Sequence, residues 1–369
     1  MLRAYYVSEG AMKRIVVCCD GTWNDPSKPR QTNVSKLKDA IIRRGPVAGA
    51  TEQRVHYIDG VGSRGSLWQR LKGAAIGYGL DENVQKAYQR IATDYEPGDE
   101  IYLFGFSRGA YTARSTLGMV RKCGILKHVS ESAVRRAWEH YRNAIHPEDE
   151  AARRWRRDNA LLINSPETFI PIARFIGVWD TVGSLGVPIE TLRARYDFHD
   201  VTLTSLVDHA YHALAIDEQR RDYEPTIWAR SKTPRKEQKL EQRWFSGSHS
   251  DIGGGAAGEG RDQQSDYCLE WLLAKAVDAG LEVDGDRIQL HRVPDGEFPK
   301  LHLDPGLLFR IIALFREPLL RPIGKGIPEG KEGYGRPSNE TVDEEARRRL
   351  HEDPGYNARN LMAWELEQE

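Results

Sequence analysis

The stretch Glu100-Ile-Tyr-Leu-Phe-Gly-Phe-Ser-Arg-Gly-Ala-Tyr-Thr-Ala-Arg114 constrains the fold more than any other part of the chain. Ile101 to Phe106 is an unbroken apolar and aromatic run, the pattern of a strand covered on both faces, and Ala110 to Arg114 has helical character. Between them stands Gly105-Phe-Ser-Arg-Gly109, a G-x-S-x-G sequence. The two glycines let a strand turn directly into a helix with Ser107 at the apex, because a side chain at either would strike the crossing backbone. Ser107 Oγ is then presented at the carboxyl end of a central strand. The Arg108 N–H opens the helix, where unpaired donors and the positive dipole end favour a developing oxyanion. The bland alternative is a tight turn in which Ser107 only caps the helix.

Around this stretch the chain reads as repeated strand and helix. Five apolar residues, Ile15 to Cys19, make a buried strand that Asp20-Gly21-Thr22 ends. A helix over 33–42 follows, with Val34, Leu37, Ala40 and Ile41 on one face, then a strand over 54–59 and a helix over 80–95. That order predicts a parallel sheet with helices on both faces, and sites in such sheets gather at the carboxyl ends of the strands. Asp20, Asp59 and Ser107 all stand at such ends. A charged stretch near 130–165 carries Trp138, Tyr141 and Trp155 at helical spacing, as an amphipathic insertion over the sheet would, serving as a lid or as a solvated hairpin. A further buried strand over 169–178 delivers Asp180. The segment 209–216 is a helix end or a strand, and a short strand after Gln242 brings His249 and Asp251 into a glycine-rich loop. A helix is predicted over 266–279. Beyond Gly280 the chain is rich in Pro, Gly and charge, with 318–330 as extended loop and a last short helix near 354–364.

Composition bounds the partners. With 53 basic and 54 acidic residues the formal net charge is −1, which gives no electrostatic case for nucleic acid. The 369 residues contain no linker-like tract, so one large domain is expected. Cys18 and Cys19 are adjacent in a strand and point to opposite faces, so neither a disulfide framework nor a cysteine metal site is expected. The first eleven residues lack an apolar signal core, and no run of about 18 apolar residues occurs. A soluble, cytoplasmically made protein is expected, with signal-independent export left open.

A serine hydroxyl needs a base to accept its proton, and an imidazole in turn needs an acid on its other nitrogen. Ser107, Asp180 and His249 follow in the order Ser, acid, His. His212 is the rival base, and Asp217 and Asp251 are the rival acids. Besides the Arg108 N–H, the N–H of Gly21 or Thr22 is the expected second oxyanion donor, unless that turn is only a turn. No cofactor is required. Asp20, Asp180 and Asp251 are oxygen ligands that can hold a divalent cation, but their spacing matches no EF-hand or histidine-rich metal motif, so none is expected.

Cys19-Asp-Gly-Thr-Trp-Asn24, Gly105 to Arg114, Gly177-Val-Trp-Asp-Thr-Val-Gly183, His212-Ala-Leu-Ala-Ile-Asp-Glu218 and Ser248-His-Ser-Asp-Ile-Gly-Gly-Gly255 follow one another in an order that resembles a widespread α/β-hydrolase domain family. That family includes the phospholipase effectors of bacterial type VI secretion and many fungal proteins. The resemblance implies an α/β-hydrolase fold and a Ser-Asp-His triad, carried onto Ser107, Asp180 and His249. It also implies hydrolysis of acyl esters, of membrane phospholipids in the effectors. The expected division is an N-terminal extension over 1–12, a catalytic domain over 13–280, and a C-terminal extension over 281–369 packed on the same domain. A lipid ester substrate with peripheral membrane contact is expected, Trp23, Trp138 and the basic run Arg153 to Arg157 being candidate contacts. A thioesterase or short-chain esterase on the same triad, or a non-catalytic module keeping the fold, are the alternatives.

Overall fold

The computed structural model describes residues 12–21, 31–43, 51–60, 78–162, 173–182, 202–230, 235–255, 262–303, 319–328, 334–336 and 338–369. In chain order the strands are β1 (Lys13–Cys19), β2 (Glu52–Ile58), β3 (Glu100–Phe106), β4 (Ile125–Leu126), β5 (Ala160–Leu162), β6 (Ala173–Trp179), β7 (Val207–Ala215), β8 (Lys239–Phe245), β9 (Ile327–Pro328), β10 (Tyr334–Arg336) and β11 (Glu340–Val342). The helices are α1 (Asn33–Ala40), α2 (Tyr78–Asp94), α3 (Arg108–Cys123), α4 (Glu131–Arg142), α5 (Glu150–Asn159), α6 (His249–Gly253), α7 (Gln263–Asp278), α8 (Glu344–Glu352) and α9 (Arg359–Leu366).

Seven strands pair in the order β11-β8-β7-β6-β3-β1-β2, each neighbouring pair parallel. Alternation along β1 and β3 divides the core. Ile15, Val17, Ile101 and Leu103 face α2 and α3, while Val16, Cys18, Tyr102 and Phe104 face α1 and α7. Cys18 and Cys19 thus lie on opposite faces, and all four cysteines are buried and free. Each fully buried Leu- or Phe-sized side chain contributes about 1.5–3 kcal/mol, which makes the sheet centre a rigid platform. The chain leaves β1 for β2 on one side and returns to β3 on the other, so the order reverses between β1 and β3. Such a switch point opens a crevice at the carboxyl ends of the strands, and Ser107 stands beside it.

Three elements resolve or correct the sequence reading. Of the two alternatives for 209–216, helix end or strand, the structure has the strand, β7, in the sheet interior. The insertion α4–α5 packs Ala133, Val134, Ala137, Trp138 and Tyr141 onto α2 and α3, so it covers the outer helical layer rather than the sheet. The C-terminal segment supplies the edge strand β11, which pairs with β8, and helices whose Ala346, Tyr356 and Leu361 join Leu214 and Trp244 in a third core cluster. A three-residue strand has too little periodicity to be read from sequence. Among the described residues no helix is long and apolar enough to cross a membrane.

Candidate active site

Ser107 follows β3 with φ 57° and ψ −124°, backbone that a non-glycine residue rarely adopts. The surroundings over-determine this strain. Its N–H donates to Trp179 O at 3.0 Å, tying the apex to β6. A Cβ on Gly105 would lie 2.5 Å from Gly109 O, and one on Gly109 would lie 2.1 Å from Cys19 O. The helix can therefore cross the end of β1 only if both positions are glycine.

Asp180 follows β6 and His249 opens α6 just after β8. His249 Nδ1 lies 2.5 Å from Asp180 Oδ2, with Asp180 fully buried and His249 7% exposed. Arg321, also fully buried, donates from Nη1 to Asp180 Oδ1 at 2.6 Å and from Nη2 to Oδ2 at 3.0 Å. Burial alone would push the Asp180 carboxyl up, but Arg321 and then His249 outweigh it and hold the carboxyl well below the usual carboxylate range. Asp180 is an anion at every ordinary pH. It is also strained, at φ 38°.

The histidine loop is braced from several sides. The Ser248 N–H and Oγ both reach Asp251 Oδ2, and the Asp251 Oδ1 receives His302 Nδ1 at 2.7 Å. Asp251 therefore orients the loop and not the His249 ring. Glu218 Oε2 accepts the His249 N–H at 3.2 Å and is itself clamped by Arg220. Phe106 and Tyr223 flank the imidazole with ring centroids at 4.6 and 4.8 Å. A Cβ on Gly253 would overlap the Phe106 ring at 2.0 Å, so this glycine lets the loop seat beside the residue preceding Ser107. No hydrogen bond joins Ser107 Oγ to His249 among the described residues; such bonds are often long before substrate binds.

The rival residues have other partners. His212 is fully buried in β7, accepting the Thr181 N–H at Nε2 and facing Gln242 Oε1 from Nδ1, so neither ring nitrogen is open. Burial, with Arg114 adding, pushes its pKa down to about 3. Asp217 accepts the Gly247 N–H at 2.6 Å and the Tyr356 hydroxyl at 2.9 Å, and burial pushes its pKa up to about 6. The Gly21 N–H donates to Asp20 Oδ1 at 2.6 Å, and Thr22 and Trp23 lie outside the described residues. Asp20 also accepts from Thr32 and Tyr57, so Asp20, Asp180 and Asp251 each serve different partners instead of facing one ion. The basic run is split: Arg156 is buried on the carbonyls of Lys122 and Pro147, while Arg157 pairs with Glu150 at the surface.

Arg321, Glu218 and Tyr223 are the site residues that sequence reasoning missed. Glu218 was visible as the last residue of the fourth motif, without a role. Arg321 had no signal, since it sits in a Pro-rich segment and meets Asp180 across 141 positions of chain. A cavity of about 230 Å³ runs along α3 from Thr181, the residue after Asp180, between Tyr111, Arg114, Leu117, Thr226 and Trp228.

A parallel, doubly covered sheet with a strained serine elbow after β3 and an acid and histidine after later strands defines an α/β-hydrolase fold. Residues 13–275 match the model of the family described as T6SS, Phospholipase effector Tle1-like, catalytic domain, and the chain belongs to that family. It is 31% identical over 226 residues to Uncharacterized protein YEL023C of Saccharomyces cerevisiae, a match that covers 56% of this chain and 31% of the yeast protein. The chain thus spans under a third of that relative. Among solved structures, an uncharacterized protein from Pseudomonas aeruginosa aligns with a TM-score of 0.43 at 17% identity, over 76% of this chain and 48% of that one. The Tle1 effector, solved bound to the VgrG spike of the type 6 secretion system, aligns with a TM-score of 0.43 at 15% identity, over 78% and 77%.

Proposed function

We propose that this chain is a serine hydrolase that cleaves acyl esters of phospholipids through an acyl-enzyme. Membership of the phospholipase effector family supports the substrate class. The observation that carries the mechanism is the 2.5 Å contact of His249 Nδ1 with Asp180, beside an elbow that raises Ser107 at the neighbouring strand end. In this reading His249 Nε2 removes the Ser107 proton as Oγ attacks the ester carbonyl, and Asp180 fixes the tautomer and stabilises the imidazolium. The Arg108 N–H, first in α3, donates to the oxyanion. A second donor comes from Thr22 or from Gly21, whose N–H exchanges Asp20 for the oxyanion. The histidine gives its proton to the leaving alcohol, then activates water to release the acid and restore Ser107. The enzyme meets its lipid by peripheral contact with the membrane surface.

Labelling with a fluorophosphonate, mapped by peptide mass analysis, tests this. Wild type is expected to carry the label on Ser107, and Ser107→Ala and His249→Ala to stay unlabelled. A label that persists in Ser107→Ala removes the mechanism.

A further inference from the structure

Seven lysine and arginine residues are buried among the described residues: Lys13, Lys36, Arg108, Lys122, Arg156, Arg321 and Arg349. Six have their charge answered. Lys13 meets Asp99, Lys36 meets Asp266, Arg321 meets Asp180 and Arg349 meets Glu345. Lys122 and Arg156 donate to backbone carbonyls, Lys122 to those of Tyr141 and Asn143 and Arg156 to those of Lys122 and Pro147.

Arg108 is the exception. It is 3% exposed, its Nη2 is buried without any partner, and its side chain makes no hydrogen bond or ion pair among the described residues. A buried, unpaired charge costs several kcal/mol, and a guanidinium keeps its proton, so it cannot escape that cost by neutralising. Burial lowers the guanidinium's proton affinity, partly opposed by Tyr223, the ring that packs edge-on against His249. Arg108 also opens the sixteen-residue α3, so the unpaired N–H groups and positive dipole end of that helix share its location. Among the described residues the position is cationic, desolvated and without a hydrogen-bonding or ion-pair partner for the side chain.

We infer that the Arg108 guanidinium is an anion-binding group of the active site, and that its partner is the phosphate of a glycerophospholipid headgroup. The guanidinium fork matches two phosphate oxygens. Consecutive Cα atoms lie about 3.8 Å apart, so the attacking hydroxyl and the waiting cation are carried by neighbouring residues. A glycerophospholipid has the complementary layout, an ester carbonyl and a phosphodiester separated by the glycerol backbone. The choice of phosphate rests on the phospholipid reading above; the need for an anion does not.

The test compares wild type, Arg108→Met and Arg108→Lys on phosphatidylglycerol and on diacylglycerol in the same detergent micelles. Both lipids carry the same acyl esters and only one has a phosphate. A hydrogen bond to a charged group is worth about 1.5–3 kcal/mol, so Arg108→Met should lower the ratio of kcat/KM for the phospholipid over the diacylglycerol by about 10–100-fold. Arg108→Lys should recover part of it. In parallel, binding of glycerol 3-phosphate and of inorganic phosphate is followed by calorimetry. Wild type should bind glycerol 3-phosphate and Arg108→Met should not. An unchanged substrate ratio with equal phosphate binding in both proteins overturns the inference. Binding of inorganic phosphate alone, with no preference for phospholipid, overturns the headgroup assignment and leaves a free-anion site. Should wild type hydrolyse neither lipid, the hydrolase reading fails, while the calorimetry still decides whether Arg108 holds an anion.

Discussion

Asp180 and Asp217 follow neighbouring strands, and both reach the loop after β8, yet their environments drive them apart. Asp180 takes the ring of His249 and two bonds from Arg321, and its carboxyl is held well below the usual range. Among the described residues Asp217 takes only the Gly247 N–H and the Tyr356 hydroxyl on its side chain, and burial pushes it up to about 6. Burial raises the pKa of any carboxyl unless a cation compensates. The difference is chiefly Arg321, with His249 adding to it. One carboxylate stays an anion able to stabilise an imidazolium, and the other is a loop anchor whose pKa burial pushes up to about 6. The partners that set them apart, Arg321 and Tyr356, both come from the last fifty residues of the chain.

The comparison breaks most visibly in turnover. Asp180→Asn is expected to lower kcat by about 10⁴-fold, as loss of a triad acid does, while Asp217→Asn should cost less than about tenfold. Equal losses, measured on one lipid ester with both proteins folded by circular dichroism, would mean that Asp217 shares the role.

Stability sharpens it next. Arg321→Met strands a buried anion at Asp180 and should destabilise by about 3–5 kcal/mol in urea. Asp180→Asn added to Arg321→Met should recover a large part of that, because both charges are then gone. A double variant as unstable as the sum of the singles would show that Arg321 acts by packing.

The smallest effect lies in pH. The folded pKa of Asp217, about 6, is above its ordinary 3.8, so folding favours the protonated form. Its contribution is fully present below pH 3.8 and is lost as pH rises through 6, on the order of 2 kcal/mol for this half-buried group. Asp180 has the opposite sign: its contribution is present above the ordinary carboxylate range and is lost only in strong acid. Urea denaturation at stepped pH should show a fall in stability between pH 4 and 7 that flattens in Asp217→Asn. A fall of the same size in that variant assigns the slope elsewhere.

Much of the architecture was legible because it is local. The apolar runs of β1 and β3, the alternation that sends Cys18 and Cys19 to opposite faces, and the glycine pair around Ser107 are read within a few residues of each other. The motifs holding Ser107, Asp180 and His249 were legible as well, each at a strand end. By contrast, β7 looked ambiguous, since a continuous apolar run suits a buried helix or a buried strand equally.

The amino-acid order alone determined where strands end and glycines are obligatory, because steric exclusion and side-chain period act between near neighbours. Only the folded chain decided which histidine sits beside Asp180, which acid stays charged and which buried arginine has no side-chain partner among the described residues. Those outcomes depend on groups such as Arg321 and Asp180, which meet across 141 positions. Charge and desolvation are set by what surrounds a group in space, and sequence spacing carries no record of that.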